Sequence, residues 1–302
     1  MDGKKVLIAG STGMLGHVLF RLLSRHAGLE VHGTARSGNG LSRWFTPALL
    51  ERVHTGIDAC NFDAVRSVLA KIKPDVVINC VGIIKQSPEA KDPVASISVN
   101  ALFPHKLAAL CKDAGARMIH ISTDCVFSGD KGGYTEDDRP DADDLYGRTK
   151  LLGEVVYPHC VTLRTSIIGH ELKGKHSLLE WFLSQEGKVR GFTRAVFSGF
   201  PTVEMARIIA DRVIPDEKLT GLYHVSSEPV TKYDLLKLVA GRYGKTIDIE
   251  RDDNFHCDRS LKSERFKSAT GYSPPQWPKL VEAMHKDAIE NEMTGADKGR
   301  GL

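Results

Sequence analysis

No apolar run in this chain approaches the roughly 20 residues needed to cross a bilayer. The apolar part of "KKVLIAG" near the start is short and is followed by glycines where a signal peptide needs continuity. No leader and no membrane insertion are therefore expected. A charge excess of one sign is lacking too: 41 basic and 38 acidic residues leave a net +3, which offers nucleic acid no polycationic surface. The six cysteines (Cys60, Cys80, Cys111, Cys125, Cys160 and Cys257) include no pair at metal-ligand or redox spacing. Most stand among apolar neighbours, so buried thiols, no metal site and a reducing, cytoplasmic setting are the expectation. Internal repeats and low-complexity segments are also missing.

What is present is alternation. "KKVLIAG", "EVHGTAR", "DVVINC", "ARMIHIST" and "CVTLRTS" read as short buried strands bounded by polar or glycine positions. Between them lie helical patterns. "MLGHVLFRLLSRH" is one; "NFDAVRSVLAKIKP" is another, with Asn61 as N-cap and Pro74 just past its end. "VASISVNALFPHKLAALCKDAG" and "DLYGRTKLLGEVVYP" follow, and Pro104 predicts a kink or break within the first of these two. Such alternation predicts an α/β fold: a doubly wound parallel sheet of Rossmann type over residues 1–166. Residues 167–302 are expected to form a smaller, mainly helical substrate-binding region, with segments near 199–226 returning to the first domain. The polar, glycine-rich end, residues 294–302, is expected to fray.

Gly10, Gly13 and Gly16 fall at three-residue intervals between the first strand and the first helix. In a dinucleotide site, Gly10 allows the tight turn, Gly13 admits a pyrophosphate close to the backbone, and Gly16 lets helix and strand approach. The free amides at the helix N-terminus favour phosphate. At the end of the second strand stand Arg36 and Ser37 rather than the acid that would bind a ribose diol. Arg36 suits a 2′-phosphate, so NADP(H) is favoured and NAD(H) is the alternative.

Tyr146 and Lys150 are four apart on a predicted helix and share a face. A tyrosine ionises near ~10, and an adjacent ammonium would bring it toward neutral pH. Thr123 ends a predicted strand, at the edge where open parallel sheets bind ligands, and its hydroxyl can hold a substrate oxygen. Thr123, Tyr146 and Lys150 are the expected catalytic set.

With these motifs, "VLIAGSTGMLG", "MIHISTDCVFSG", "YGRTKLLGE" and "GFPTVEMARIIAD", the chain resembles the extended short-chain dehydrogenases/reductases. It is most similar to their dTDP-4-dehydrorhamnose reductase branch. The resemblance runs from residue 4 to about 285. It implies NADPH-dependent reduction of a 4-keto-6-deoxy nucleotide sugar in deoxysugar or polysaccharide synthesis. A cofactor-retaining epimerase and a non-catalytic NADP-binding regulatory subunit are the alternatives. It implies a cofactor site of Gly10, Thr12, Gly13, Met14, Leu15, Gly16, Arg36, Ser37, Asp58, Cys80, Val81, Gly82, Asn100, Tyr146 and Lys150, with Asp58 at the adenine.

Lys85, Gln86, Thr123, Asp124, Cys125 and Ile167 are expected to face the sugar. Lys173, Lys175, Arg190 and Arg194 are candidates for its diphosphate. Trp181, Phe182 and His120 are read as structural. Cys125 replaces the acid that a sugar dehydratase needs, which argues against dehydration. Cys125 and Ile167 stand where the branch carries aromatics, which leaves a related keto sugar, N-acetylated and UDP-linked, equally open. A homodimer is a further expectation.

Overall fold

The computed structural model describes residues 3–295. Seven strands form one parallel sheet: β1 (Lys4–Ala9), β2 (Leu29–Ala35), β3 (Val53–Thr55), β4 (Val76–Asn79), β5 (Arg117–Thr123), β6 (Cys160–Thr165) and, much later, β10 (Gly221–His224). Their order is β10-β6-β5-β4-β1-β2-β3, so the winding direction reverses between β1 and β4. That reversal opens a crevice at the carboxyl ends of the two strands, where doubly wound sheets bind ligands. The apolar runs have no polar alternation because both faces are covered. In β1, Val6 and Ile8 enter one core cluster while Leu7 and Ala9 enter the other.

Local signals explain the helices around the sheet. Asn61 accepts a hydrogen bond from the Ala64 amide at 3.2 Å and caps the helix Phe62–Ile72, which Lys73 ends in a left-handed conformation before Pro74. Pro104 does not interrupt its helix. Its effect is seen as wide π-type turns over Ile97–Leu102, immediately before Phe103–Asp113, because proline cannot donate to the carbonyl four residues back.

The whole segment Pro93–Asp113 is 21 residues long, and by length and composition alone is apolar enough to cross a membrane. Polar residues interrupt it too often for a search for unbroken apolar runs to notice. Its Phe103, Leu107, Ala108 and Cys111 pack into the core beside β4 and β5.

Beyond residue 166, helices appear over Leu178–Ser184, Thr202–Ile208, Lys232–Tyr243 and Trp277–Gly295, as the periodicity predicts. The stretch 199–226 lies on the main sheet: the helix Thr202–Ile208 packs on Gly16–Leu23, and β10 joins the sheet edge beside β6. Short β7 (Ile167–Ile168) pairs with β9 (Phe200–Pro201).

A second sheet was not anticipated. In it β8 (Lys188–Phe197) lies between β11 (Val230–Thr231) and β12 (Asp248–Asp258). Both long strands carry several charges, and β12 is an edge strand whose exposed charges discourage further pairing. Of the tail expected to fray, Thr294 and Gly295 close the last helix and residues 296–302 lie outside the described residues.

Candidate active site

The glycine turn sits at the crevice. Gly10, at φ +84°, makes a turn forbidding to side chains, and its amide donates to Thr34 Oγ1 at 3.1 Å. A Cβ on Gly16 would lie 2.0 Å from the Gly10 carbonyl oxygen, so the helix Gly16–Leu23 can dock here only without one. Gly13 is different. It is exposed, has no positive φ, and a Cβ there would meet the Gly10 oxygen at an ordinary 3.5 Å. Nothing within the protein demands glycine at 13, whereas a phosphate lying against this turn would. Thr12 and Met14 are half-buried around it, and Leu15 is buried beneath. The donor set and the open approach fit a dinucleotide pyrophosphate.

Across the crevice, the Cys80 amide donates to Ala9 O at 3.0 Å, and the Val81 amide to Asn79 Oδ1 at 3.1 Å. Asn100, buried within the π-type turns, accepts from Ile83 N at 2.8 Å and donates to Ile83 O at 3.0 Å, which holds the strand exit past exposed Gly82. Arg36 and Ser37 are exposed after β2, and Arg36 lies close enough to Glu89 to help hold that carboxylate ionised, behind the larger effect of local hydrogen bonds. Asp58 is half-buried and ties down the Cys60 amide at 2.7 Å.

The three expected catalytic side chains converge at the end of β5. Asp144 caps the helix Leu145–Leu152 by accepting from the Gly147 amide at 2.7 Å, which aims Tyr146 and Lys150 at the strand. Thr123 Oγ1 accepts from the Cys125 amide at 3.1 Å and lies 3.2 Å from Asp124 Oδ1. Its hydroxyl also favours the ionised form of the Tyr146 phenol by hydrogen bonding.

Of the expected pair of Tyr146 and Lys150, the amine is anchored to the strand. The Lys150 ammonium donates to Ile121 O at 2.8 Å, with Glu154 and Cys80 among the groups acting on it. The phenol is pushed well above its ordinary value by burial, then by Cys125 and the carboxylates of Asp124 and Asp144, with the Thr123 hydrogen bond opposing. Lys150 is brought down to about 8 by burial, against the pull of Glu154. Shared helical spacing put both residues on one side of the helix. The carbonyl of a neighbouring strand decided where the longer side chain went.

The residues expected to face the sugar divide. Asp124 is buried beside Thr123, and burial raises its pKa while Arg259 opposes. The half-buried Cys125 has its thiol pushed up to about 12 by burial, so it stays protonated. Lys85 is not free: its ammonium pairs with Asp144 Oδ2 at 2.6 Å. Gln86 is exposed, and Ile167 is half-buried on β7.

Lys173 reaches Asn39 O at 3.4 Å, over the loop that follows β2, and Lys175 is exposed in the same segment. Arg190 pairs with Asp252 on the second sheet, and Arg194 lies on the same strand. Neither strand residue adjoins Tyr146 through any of these bonds. Phe182 is fully buried core, and Trp181 is partly exposed. His120 is fully buried, with Nδ1 3.1 Å from Asn79 Nδ2.

Sequence reasoning missed Arg259, whose Nε donates to Phe127 O at 2.8 Å and whose charge faces Asp124 and Asp144. No local signal marks it, because it follows β12 and reaches the site only through the fold. Among the described residues no group of three or more His, Cys, Asp or Glu is arranged to hold a metal.

Residues 4–288 match the family model described as RmlD substrate binding domain. Methionine adenosyltransferase 2 subunit beta of Danio rerio is 30% identical over 257 residues, covering 80% of this chain and 74% of that protein. The probable low-salt glycan biosynthesis reductase Agl14 of Haloferax volcanii is 34% identical over 233 residues, covering 73% and 74%. A solved structure of dTDP-4-dehydrorhamnose reductase from Bacillus anthracis in complex with NADP has the same fold. It shows a TM-score of 0.77 over 94% of this chain and 99% of that one, at 20% identity.

Proposed function

The chain belongs to the RmlD substrate binding domain family, and from that membership we propose that it is an NADPH-dependent reductase of a 4-keto-6-deoxy nucleotide sugar. The observation that carries this reading is that the glycine turn and the Thr123–Tyr146 pair lie on the same carboxyl edge of one parallel sheet. Gly10, Gly13 and Gly16 with the helix amides behind them would hold the pyrophosphate, and Arg36 the 2′-phosphate. When bound, NADPH supplies the hydride for the carbonyl carbon.

The remaining work belongs to the chain. Thr123 and Tyr146 hydrogen-bond the carbonyl oxygen, and the Tyr146 phenol delivers the proton to it. Burial keeps that phenol protonated at working pH, which is the state a donor needs. Lys150, brought down to about 8 by burial, holds an exchangeable proton at the Ile121 carbonyl of the same strand as Thr123. Domain roles follow: the main sheet for cofactor, and the region from residue 167 onward for the sugar nucleotide.

Incubation with NADPH and a panel of dTDP-, UDP- and GDP-linked 4-keto sugars tests the proposal, with loss of NADPH absorbance and a product two hydrogens heavier as the expected result. Substituting Arg36→Ala should weaken NADPH roughly tenfold or more, about 1.4 kcal/mol, and leave NADH nearly unchanged. Equal loss for both cofactors, measured by fluorescence titration, removes the phosphate-pairing role.

A second reading is a non-catalytic NADP-binding subunit. It is favoured by the 30% identity to methionine adenosyltransferase 2 subunit beta. Cofactor binding with no turnover across the whole sugar panel would select it.

A further inference from the structure

Three consecutive residues of β5 each hold a different side chain from the segment that carries Tyr146. The Thr123 hydroxyl meets Tyr146, the Ile121 carbonyl accepts from Lys150 at 2.8 Å, and Ser122 Oγ donates to Glu154 Oε1 at 2.7 Å. Glu154 lies just past the helix end, where its amide bonds Leu151 O. Its carboxylate is gripped from the other side by Arg164 of β6, with Nε to Oε1 and Nη2 to Oε2 both 2.7 Å.

This fork is almost closed to solvent, at 4% and 8% side-chain exposure. Arg164 is fixed in turn by His224 of β10 at 3.3 Å and by the Phe127 ring, 5.3 Å from its guanidinium carbon. A buried ion pair of this kind is no bargain for stability, since apolar residues of similar volume often serve a fold as well or better. Its presence beside Lys150 calls for another account.

We propose that Glu154, held by Ser122 and Arg164, is a positioning residue for Lys150: its buried carboxylate sets how firmly the Lys150 amine keeps its proton. The functional part of this inference rests on the reductase reading of the site. The groups facing Lys150 support the assignment. Cys80, at the end of β4, has its thiol pushed up to about 12 by burial and stays neutral. His120 on β5 is held well below its ordinary value by burial, then by Lys150 itself, and is neutral as well. The Glu154 carboxyl group, already engaged by Ser122 and Arg164, partly offsets the burial that brings Lys150 down to about 8. Two separate attachments, one to β5 and one to β6, keep that carboxylate from swinging away.

The test is a titration of Lys150 in the full chain by ε-carbon NMR of labelled lysine, assigned with Lys150→Met. Glu154→Gln should lower the Lys150 midpoint by about one pH unit, the shift expected for losing one nearby charge. Glu154→Asp, which keeps the charge, should restore most of it. Because Glu154→Gln leaves Arg164, whose charge would itself lower the midpoint, buried without a counter-ion, Glu154→Gln/Arg164→Met is made alongside: it buries no unpaired charge and should show a smaller fall in the same direction.

A folded variant lacking the carboxylate but titrating as wild type overturns the proposal, as does an Asp variant that behaves like Gln. Where keto-sugar turnover is found, the alkaline limb of kcat/KM should move down with the midpoint. Midpoints that move while no sugar is reduced would remove the reductase reading and leave the charge-setting role standing. Turnover with an unmoved midpoint and limb would remove the role alone.

Discussion

Replacing Tyr146 by Phe should reduce keto-sugar turnover a hundredfold or more and leave NADPH affinity close to wild type. The expectation follows from where the phenol lies and from its charge state. It is desolvated beside Thr123, with Asp124 and Asp144 near enough to oppose its ionisation. Such a phenol is fully protonated below its raised pKa, so the proton it offers is always present, and a positioned donor contributes about 10²–10⁴-fold. Phenylalanine fills the same space and removes only the proton donor. The check is steady-state turnover beside direct NADPH titration. Wild-type rates in the variant would take Tyr146 out of the chemistry.

The second large effect separates two glycines of one turn. Gly13→Ala should fold with stability within about 0.5 kcal/mol of wild type, as a change at a surface position usually does. Its Cβ meets no atom of the protein closer than 3.5 Å. It should nevertheless bind NADPH at least roughly tenfold more weakly, about 1.4 kcal/mol, because the methyl group occupies the approach to the helix amides.

Gly16→Ala should behave in the opposite manner. There the Cβ would fall 2.0 Å from the Gly10 carbonyl oxygen, so helix or turn must shift, at a cost of about 1–3 kcal/mol before any ligand is considered. Thermal melts of the cofactor-free proteins, set beside cofactor titrations, distinguish the two. Equal destabilisation would mean that Gly13 serves packing, and undiminished affinity in Gly13→Ala would remove the phosphate from this turn.

Where local chemistry sets the outcome, the sequence was readable. The seven-stranded sheet is largely legible because both faces of a parallel sheet are apolar, which leaves unbroken runs such as "KVLIA" that need no partner to be recognised. Asn61 and Pro74 mark their helix for equally local reasons. The strands β8 and β12 were hidden because several of their positions are exposed and charged, which blurs any period of two. The wide turns before Pro104 were legible only as a disturbance of unknown form.

The site divides along the same line. That Thr123, Tyr146 and Lys150 belong together follows from order and spacing, but spacing could not say which partner the Lys150 ammonium would take. Lys85, read as a sugar ligand, pairs with Asp144 at a sequence distance of 59, a contact that only the packing of two loops creates.

By itself the chain of residues determined the strand–helix alternation, the glycine turn and the presence of a hydroxyl, a phenol and an amine at one sheet edge. Each of these depends on neighbours within a turn or a strand length. The tertiary structure alone decided the electrostatics: the Ile121 carbonyl that holds Lys150, the Glu154–Arg164 pair behind it, and Arg259 facing Asp124. Charge interactions act through space and depend on burial, and both are properties of the folded arrangement that no local pattern carries.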